Sequence, residues 1–265
     1  MINNETIGDL RISGSGSAGG GRYKNISISG SGKITGDISC ESFSISGSGK
    51  VIGSISANSF RISGSGKVTN DLTCMKGSIN GSGTVEGSVH GGSFTISGSG
   101  GVNGNFKGDE FIIRGSGKVG GRINATRVKL HGATSVGQGI EGEIIDISGG
   151  IRTPGMINGD EVNIEVGSTT EVEEIGATRV NVVKAEKVMG LFGRIFFSLF
   201  GRKNYGYLTI RTIEADEIYL ENTIADVVRG NKITIGEGCK IKKIEYRDTL
   251  CKKDENSTIS EEVKL

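Results

Sequence analysis

Apolar residues recur along this chain with two superimposed periods. Locally they alternate with polar ones, as in Phe43-Ser-Ile45-Ser and Phe60-Arg-Ile62-Ser, the period of two that turns one side chain inward and the next outward in a strand. Over a longer range the whole pattern returns every 17 residues: the position of Ile45 is repeated at Ile28, Ile62, Ile79, Ile96, Ile113, Leu130, Ile147 and Ile164. A second aliphatic column begins Ile34, Val51, Val68, Val85, and a third Ile38, Ile55, Leu72, Val89. A fourth, rich in phenylalanine, reads Ile26, Phe43, Phe60, Gly77, Phe94, Phe111. Between the third and fourth runs a column of small residues, among them Cys40, Ala57, Cys74, Gly91 and Gly108.

A unit of 17 residues is too short to bury a core alone, so each must be one coil of a solenoid, stable only when stacked on its neighbours. Three short strands per coil predict a triangular cross-section and an all-β fold, a parallel β-helix. Like residues then stack at the strand spacing of about 4.8 Å. The recurrent Ser-Gly-Ser-Gly, with Gly30, Gly47, Gly64, Gly81, Gly98 and Gly115 one stride apart, falls at a corner where successive backbones approach closely.

Beyond Ile164 the pattern loosens but persists. The element aliphatic-x-small-x-x-aliphatic-x-aliphatic returns as Ile175-Ala177-Val180-Val182, Ile213-Ala215-Ile218-Leu220 and Val228-Gly230-Ile233-Ile235. The expected organisation is an N-terminal tail at 1–9, a regular β-helix over 10–187, an insertion at 188–207, a β-helix continuation over 208–251 and a disordered tail at 252–265. About a dozen coils form one rod of about 60 Å.

The insertion has a different period. Val188, Leu191, Phe192, Ile195, Phe196, Leu199 and Phe200 fall on one face at helical spacing, with Arg202 and Lys203 beyond it, which predicts a short amphipathic helix near the C-terminal third. It is too short for a bilayer span, which takes about 20 residues. Two readings stay open: the helix lies in a membrane interface, or it is a lid or subunit contact. Either way Leu191, Phe192, Ile195, Phe196, Leu199, Phe200, Arg202 and Lys203 are the candidate membrane or partner contacts.

Composition narrows the function classes. The 46 glycines and single proline are periodic rather than scattered, so they mark corners and not a disordered linker. A formal net charge of +1 with interspersed signs gives no footprint for a nucleic acid partner. Met1 to Asp9 lacks a basic region followed by an apolar run, so no signal peptide is evident and a cytoplasmic protein is expected. Cys40 and Cys74 lie two coils apart, about 9 to 10 Å, too far for a disulfide.

Candidate chemistry is sparse. His90 and His131 fall on different outward columns and share no site. The glycine run from Gly14 to Gly19 formally matches a dinucleotide pattern, but no strand feeding a long helix accompanies it. The carboxylates Glu171, Glu173, Glu174, Glu214, Asp216, Glu217 and Glu221 mostly alternate with inward aliphatics, as a solvated outer face does. The expectation is no catalytic residue, no cofactor, no metal and no small-molecule substrate.

The end coils of a solenoid present unpaired backbone groups and apolar columns, a template for a further chain. The repeat Ile-Ser-Gly-Ser-Gly-Lys-Val-x-Gly-x-Ile, with the later segments Ile213-Glu-Ala-Asp-Glu-Ile-Tyr-Leu-Glu and Ile235-Gly-Glu-Gly-Cys239-Lys-Ile, resembles the bactofilin family of bacterial polymer-forming cytoskeletal proteins from about Leu10 to Tyr246. The resemblance implies a right-handed β-helix, nucleotide-independent filaments, and scaffolding in cell shape, motility or envelope organisation. The expected function is therefore a non-enzymatic scaffold that self-assembles end to end into a homopolymer, peripheral on the inner membrane if the insertion docks there. The alternatives are an acyltransferase-like enzyme on a left-handed β-helix, against which the stride of 17 and the lack of paired histidines argue, and a monomeric adhesin-like rod, which would carry an export signal.

Overall fold

The computed structural model describes residues 7–185 and 206–265. They fall into two compact units, Met1–Glu143 and Ile144–Leu265. All described secondary structure is β, and every strand pairing in both units is parallel. The expected amphipathic helix falls on 188–207, almost wholly within 186–205, which lies outside the described residues; among the described residues there is no helix.

In the first unit the chain runs through β1 (Leu10–Ile12), β2 (Ser17–Arg22), β3 (Asn25–Ile28), β4 (Lys33–Ile45), β5 (Lys50–Ile52), β6 (Ile55–Ile62), β7 (Lys67–Val68), β8 (Leu72–Ile79), β9 (Thr84–Val85), β10 (Val89–Ile96), β11 (Gly101–Val102), β12 (Phe106–Val119) and β13 (Ile123–Val136). Strands pair with those one coil away, so Ile38 stands against Ile55, Ile55 against Leu72, Leu72 against Val89 and Val89 against Phe106. The columns read from sequence are these stacks. Ile28, Ile45, Ile62, Ile79, Ile96 and Ile113 are all fully buried.

The phenylalanine column forms a ring stack. Phe43 and Phe60 lie 5.5 Å apart, nearly parallel at 8°, and Phe94 and Phe111 lie 6.2 Å apart at 4°. The coil between them carries Gly77, yet Phe60 and Phe94 still stack at 6.5 Å. A Cβ on Gly77 would sit 2.2 Å from Phe94 Cδ2, so the glycine leaves the space into which the Phe94 ring leans.

Two corners of the coil are built differently. At the Ser-Gly-Ser-Gly corner a Cβ on Gly47 would lie 2.4 Å from the Gly30 carbonyl oxygen, so close stacking there admits no side chain. At a second corner, side chains cap the next coil: Asp37 Oδ1 accepts from the Ser54 N–H at 2.7 Å, and Asp71 Oδ1 from the Ser88 N–H at 2.7 Å. Asn105 Oδ1 does the same for the Arg122 N–H at 2.8 Å. Each cap satisfies a donor that the turn would otherwise leave without a partner.

The second unit contains most of β14 (Ile140–Val166), then β15 (Thr170–Lys184), β16 (Leu208–Leu220), β17 (Thr223–Ile235), β18 (Lys240–Lys252) and β19 (Thr258–Lys264). β15 pairs directly with β16, Ile175 against Ile213 and Val182 against Leu220, so the stack carries on from Lys184 to Leu208 without losing a layer. The glycine corner gives way here to polar side chains. Thr170 is fully buried and its hydroxyl donates to the Gly149 carbonyl at 3.2 Å, while Asn222, at a φ of 44°, donates to the Gly206 carbonyl at 3.3 Å.

The segment expected to be a disordered tail, 252–265, is instead largely β19, paired in parallel with β18, Ile259 on Ile241. The Thr258 N–H donates to Cys239 O and the Leu265 N–H to Tyr246 O, both at 2.9 Å. The segment lacks a full aliphatic motif, but the open edge of β18 supplies backbone partners, and that is enough to add a strand.

Candidate functional site

The surfaces that could join one chain to another are the outermost strands of each unit. In the first, β1 pairs with β3 and β2 with β4, each on one side among the described residues. This edge continues the apolar columns: Leu10 stands on Ile26, Ile12 on Ile28 and Ala18 on Ile34. Leu10 and Ala18 are half-buried, whereas the residues they stand on are at most 1% exposed. Added strands would cover both the backbone groups and these side chains.

In the second unit β19 covers only the first half of β18. Leu250, in the aliphatic column above Ile233, is half-buried, as is Ile259. The register also places Glu262 on Ile244, a carboxylate on an aliphatic column, where it pairs with the Lys252 ammonium. An inward-column charge of this kind limits indiscriminate edge pairing.

The outer faces of the two units carry charge differently. In the second, charges alternate in sign from coil to coil and neutralise one another. Arg179 meets Glu217 at 3.3 Å, which also meets Lys232 at 3.4 Å; Arg229 bridges Glu214 at 3.0 Å and Glu245 at 2.7 Å; and Arg211 pairs with both Glu173 and Glu174. Hydrogen bonds from Arg179 and Lys232 hold the Glu217 carboxyl below its ordinary range, and those from Lys243 and Arg229 do so for Glu245. A depressed carboxylate adds stability above its unfolded pKa and loses it as the pH falls through the folded one. The second unit is therefore expected to melt at a lower temperature at pH 3 than at pH 6, as followed by circular dichroism; an unchanged midpoint would contradict these pairings.

These carboxylates are tied to cations rather than gathered as an acid and base. His90 stands against Lys107 and His131 against Arg114, both exposed and apart. Cys40 and Cys74 flank Ala57 in the small column and are free, and burial pushes both thiols up to about 11. Cys239 is likewise buried and pushed up to about 11, first by desolvation. Among the described residues no group of His, Cys, Asp or Glu is placed to hold a metal ion. The shallow groove of about 400 Å³ lined by Asn163, Arg179, Asn181, Glu217, Tyr219 and Lys232 is open, and its charges are paired to one another. The sequence-predicted contacts Leu191, Phe192, Ile195, Phe196, Leu199, Phe200, Arg202 and Lys203 lie outside the described residues. No helix among the described residues is long and apolar enough to cross a membrane.

The fold and its edges define a stacked-coil β-solenoid with surfaces suited to adding strands. Residues 3–90 match the family model for bactofilin, polymer-forming cytoskeletal. Two proteins of Bacillus subtilis (strain 168) are similar to the chain. The uncharacterized protein YhbF is 42% identical over 96 residues, 36% of this chain and 35% of the relative. The uncharacterized protein YhbE is 44% identical over 59 residues, 22% of this chain and 24% of the relative. The chain thus spans about a third and about a quarter of these relatives. No solved structure matches it significantly.

Proposed function

We propose that this chain is a non-enzymatic cytoskeletal scaffold of the cytoplasm that self-assembles end to end into filaments without a nucleotide. The observation that carries this is the pairing of β1 and β2 on one side among the described residues, with Leu10, Ile12 and Ala18 prolonging the core columns to that edge. The polymer-forming cytoskeletal description of the family matched by residues 3–90 supports it. Each newly stacked coil would bury apolar side chains worth about 1.5 to 3 kcal/mol each and complete a backbone ladder, against an association cost of about 4 to 15 kcal/mol. The right-handed coil that the family resemblance implies belongs to the same reading. Purified protein without nucleotide should pellet at high speed over a range of salt; a purely monomeric supernatant would contradict the proposal.

Docking on the inner membrane belongs to the same reading and is assigned to 188–207. Its apolar stripe, Leu191, Phe192, Ile195, Phe196, Leu199 and Phe200, would enter the interface while Arg202 and Lys203 meet the headgroups. The Phe196→Asp, Leu199→Asp double variant should lose flotation with anionic liposomes. Equal flotation of variant and wild type would remove the membrane contact and leave the lid or subunit contact.

A further inference from the structure

Lys33, Lys50 and Lys67 stand directly on one another in consecutive coils of the first unit, with their backbones at the strand spacing of about 4.8 Å. Stacked like charges are destabilising in a sheet. Lys67 is relieved by Glu86 at 2.6 Å, whereas Lys33 and Lys50 are exposed and make no ion pair among the described residues. The second unit avoids this situation by alternating sign along its columns. The lysine column therefore has an electrostatic cost that folding does not explain.

Apart from Glu86 beside Lys67, its surroundings are hydroxyl and ammonium donors. Ser31, Ser48 and Ser65 precede the lysines by two residues at the Ser-Gly-Ser-Gly corner, all three exposed. Their backbone N–H groups are occupied within the stack, as in Ser48 to Gly30 at 3.1 Å and Ser65 to Gly47 at 3.0 Å, which leaves hydroxyls and ammonium groups turned outward. Farther along the column stand Thr84, Gly101 and Lys118, and no carboxylate.

We propose that this column is a binding track for a linear phosphate polymer of the polyphosphate type, laid along the stacking direction. A row of cations at close, regular intervals matches an anion whose charges are also in a row. The serine hydroxyls add hydrogen bonds to phosphate oxygens, and an open sheet face takes an extended chain rather than an enclosed small ion. This track does not depend on self-assembly, although polymerised chains would present it in multiple copies and raise the avidity.

The test is fluorescence anisotropy with labelled inorganic polyphosphate against the full chain, over a salt series. Two unpaired lysines that each displace a counterion give a slope of log affinity on log salt of about −1.4. The Lys33→Gln, Lys50→Gln double variant is expected to bind at least about tenfold more weakly, with the slope reduced to near zero. A Lys107→Gln variant should bind as wild type does. Both substitutions are on outward positions, and circular dichroism and pelleting establish that fold and assembly are kept, so a loss of binding is separable from a loss of polymer. No binding by wild type, equal binding by the double variant, or tighter binding of poly-uridylate or phosphatidylglycerol vesicles than of polyphosphate would each overturn the proposal.

Discussion

Replacement of Phe94 by alanine is expected to cost the first unit about 3 to 5 kcal/mol, the range for removing a buried aromatic ring. Phe94 is 1% exposed and lies against Phe60, Phe106 and Phe111 at 6.2 to 6.5 Å. The loss should be severe because the neighbouring coil has no side chain at Gly77 with which to fill the void. Against a typical total of about 5 to 15 kcal/mol, guanidinium unfolding should show a large fall in midpoint. Gly77→Ala destabilises by the opposite route, since its Cβ would meet Phe94 Cδ2 at 2.2 Å. The two changes should therefore couple, the double variant being more stable than the sum of the single losses predicts. Additive losses would mean that ring and glycine do not share one space.

The second large effect concerns assembly. Leu10→Glu with Ala18→Glu places two carboxylates where the apolar columns reach the edge of β1 and β2. If a filament joint buries both half-exposed side chains, their loss removes about 1.5 to 3 kcal/mol per chain from that joint, or roughly one to two orders of magnitude in its association constant. Analytical ultracentrifugation at micromolar concentration should then find monomers or small oligomers in place of a fast-sedimenting polymer. Unchanged polymer with an intact fold would move the joint away from this edge.

Much of the fold could be read from residue spacing because a solenoid writes its third dimension into the sequence: residues one stride apart are neighbours in space. The stacks Ile38, Ile55, Leu72, Val89 and Phe106 needed no other information. What escaped the reading depends on partners that spacing does not specify. β19 forms on the open edge of β18 through backbone hydrogen bonds, which any sequence can make. The caps from Asp37, Asp71 and Asn105 depend on the turn geometry, although one signal was present: each of Gly53, Gly87 and Gly121 directly precedes the residue whose N–H is capped, and a Cβ on Gly87 or Gly121 would lie 2.4 or 2.1 Å from the capping oxygen. The edge at Leu10 and Ile12 was legible as the place where the columns begin. The lysine column was visible in the Gly-Lys of Gly32-Lys33, Gly49-Lys50 and Gly66-Lys67, but the lack of counter-charges at Lys33 and Lys50 required the positions of every neighbouring carboxylate.

Electron cryo-microscopy of the nucleotide-free protein tests the central claim most directly. If coils of one chain stack on coils of the next, filaments will show a strong repeat of about 4.8 Å along their axis, the spacing of paired strands, continuing across the joints between chains. Dispersed particles at all salt concentrations, or filaments whose strands run along the axis instead of across it, would contradict assembly by coil stacking.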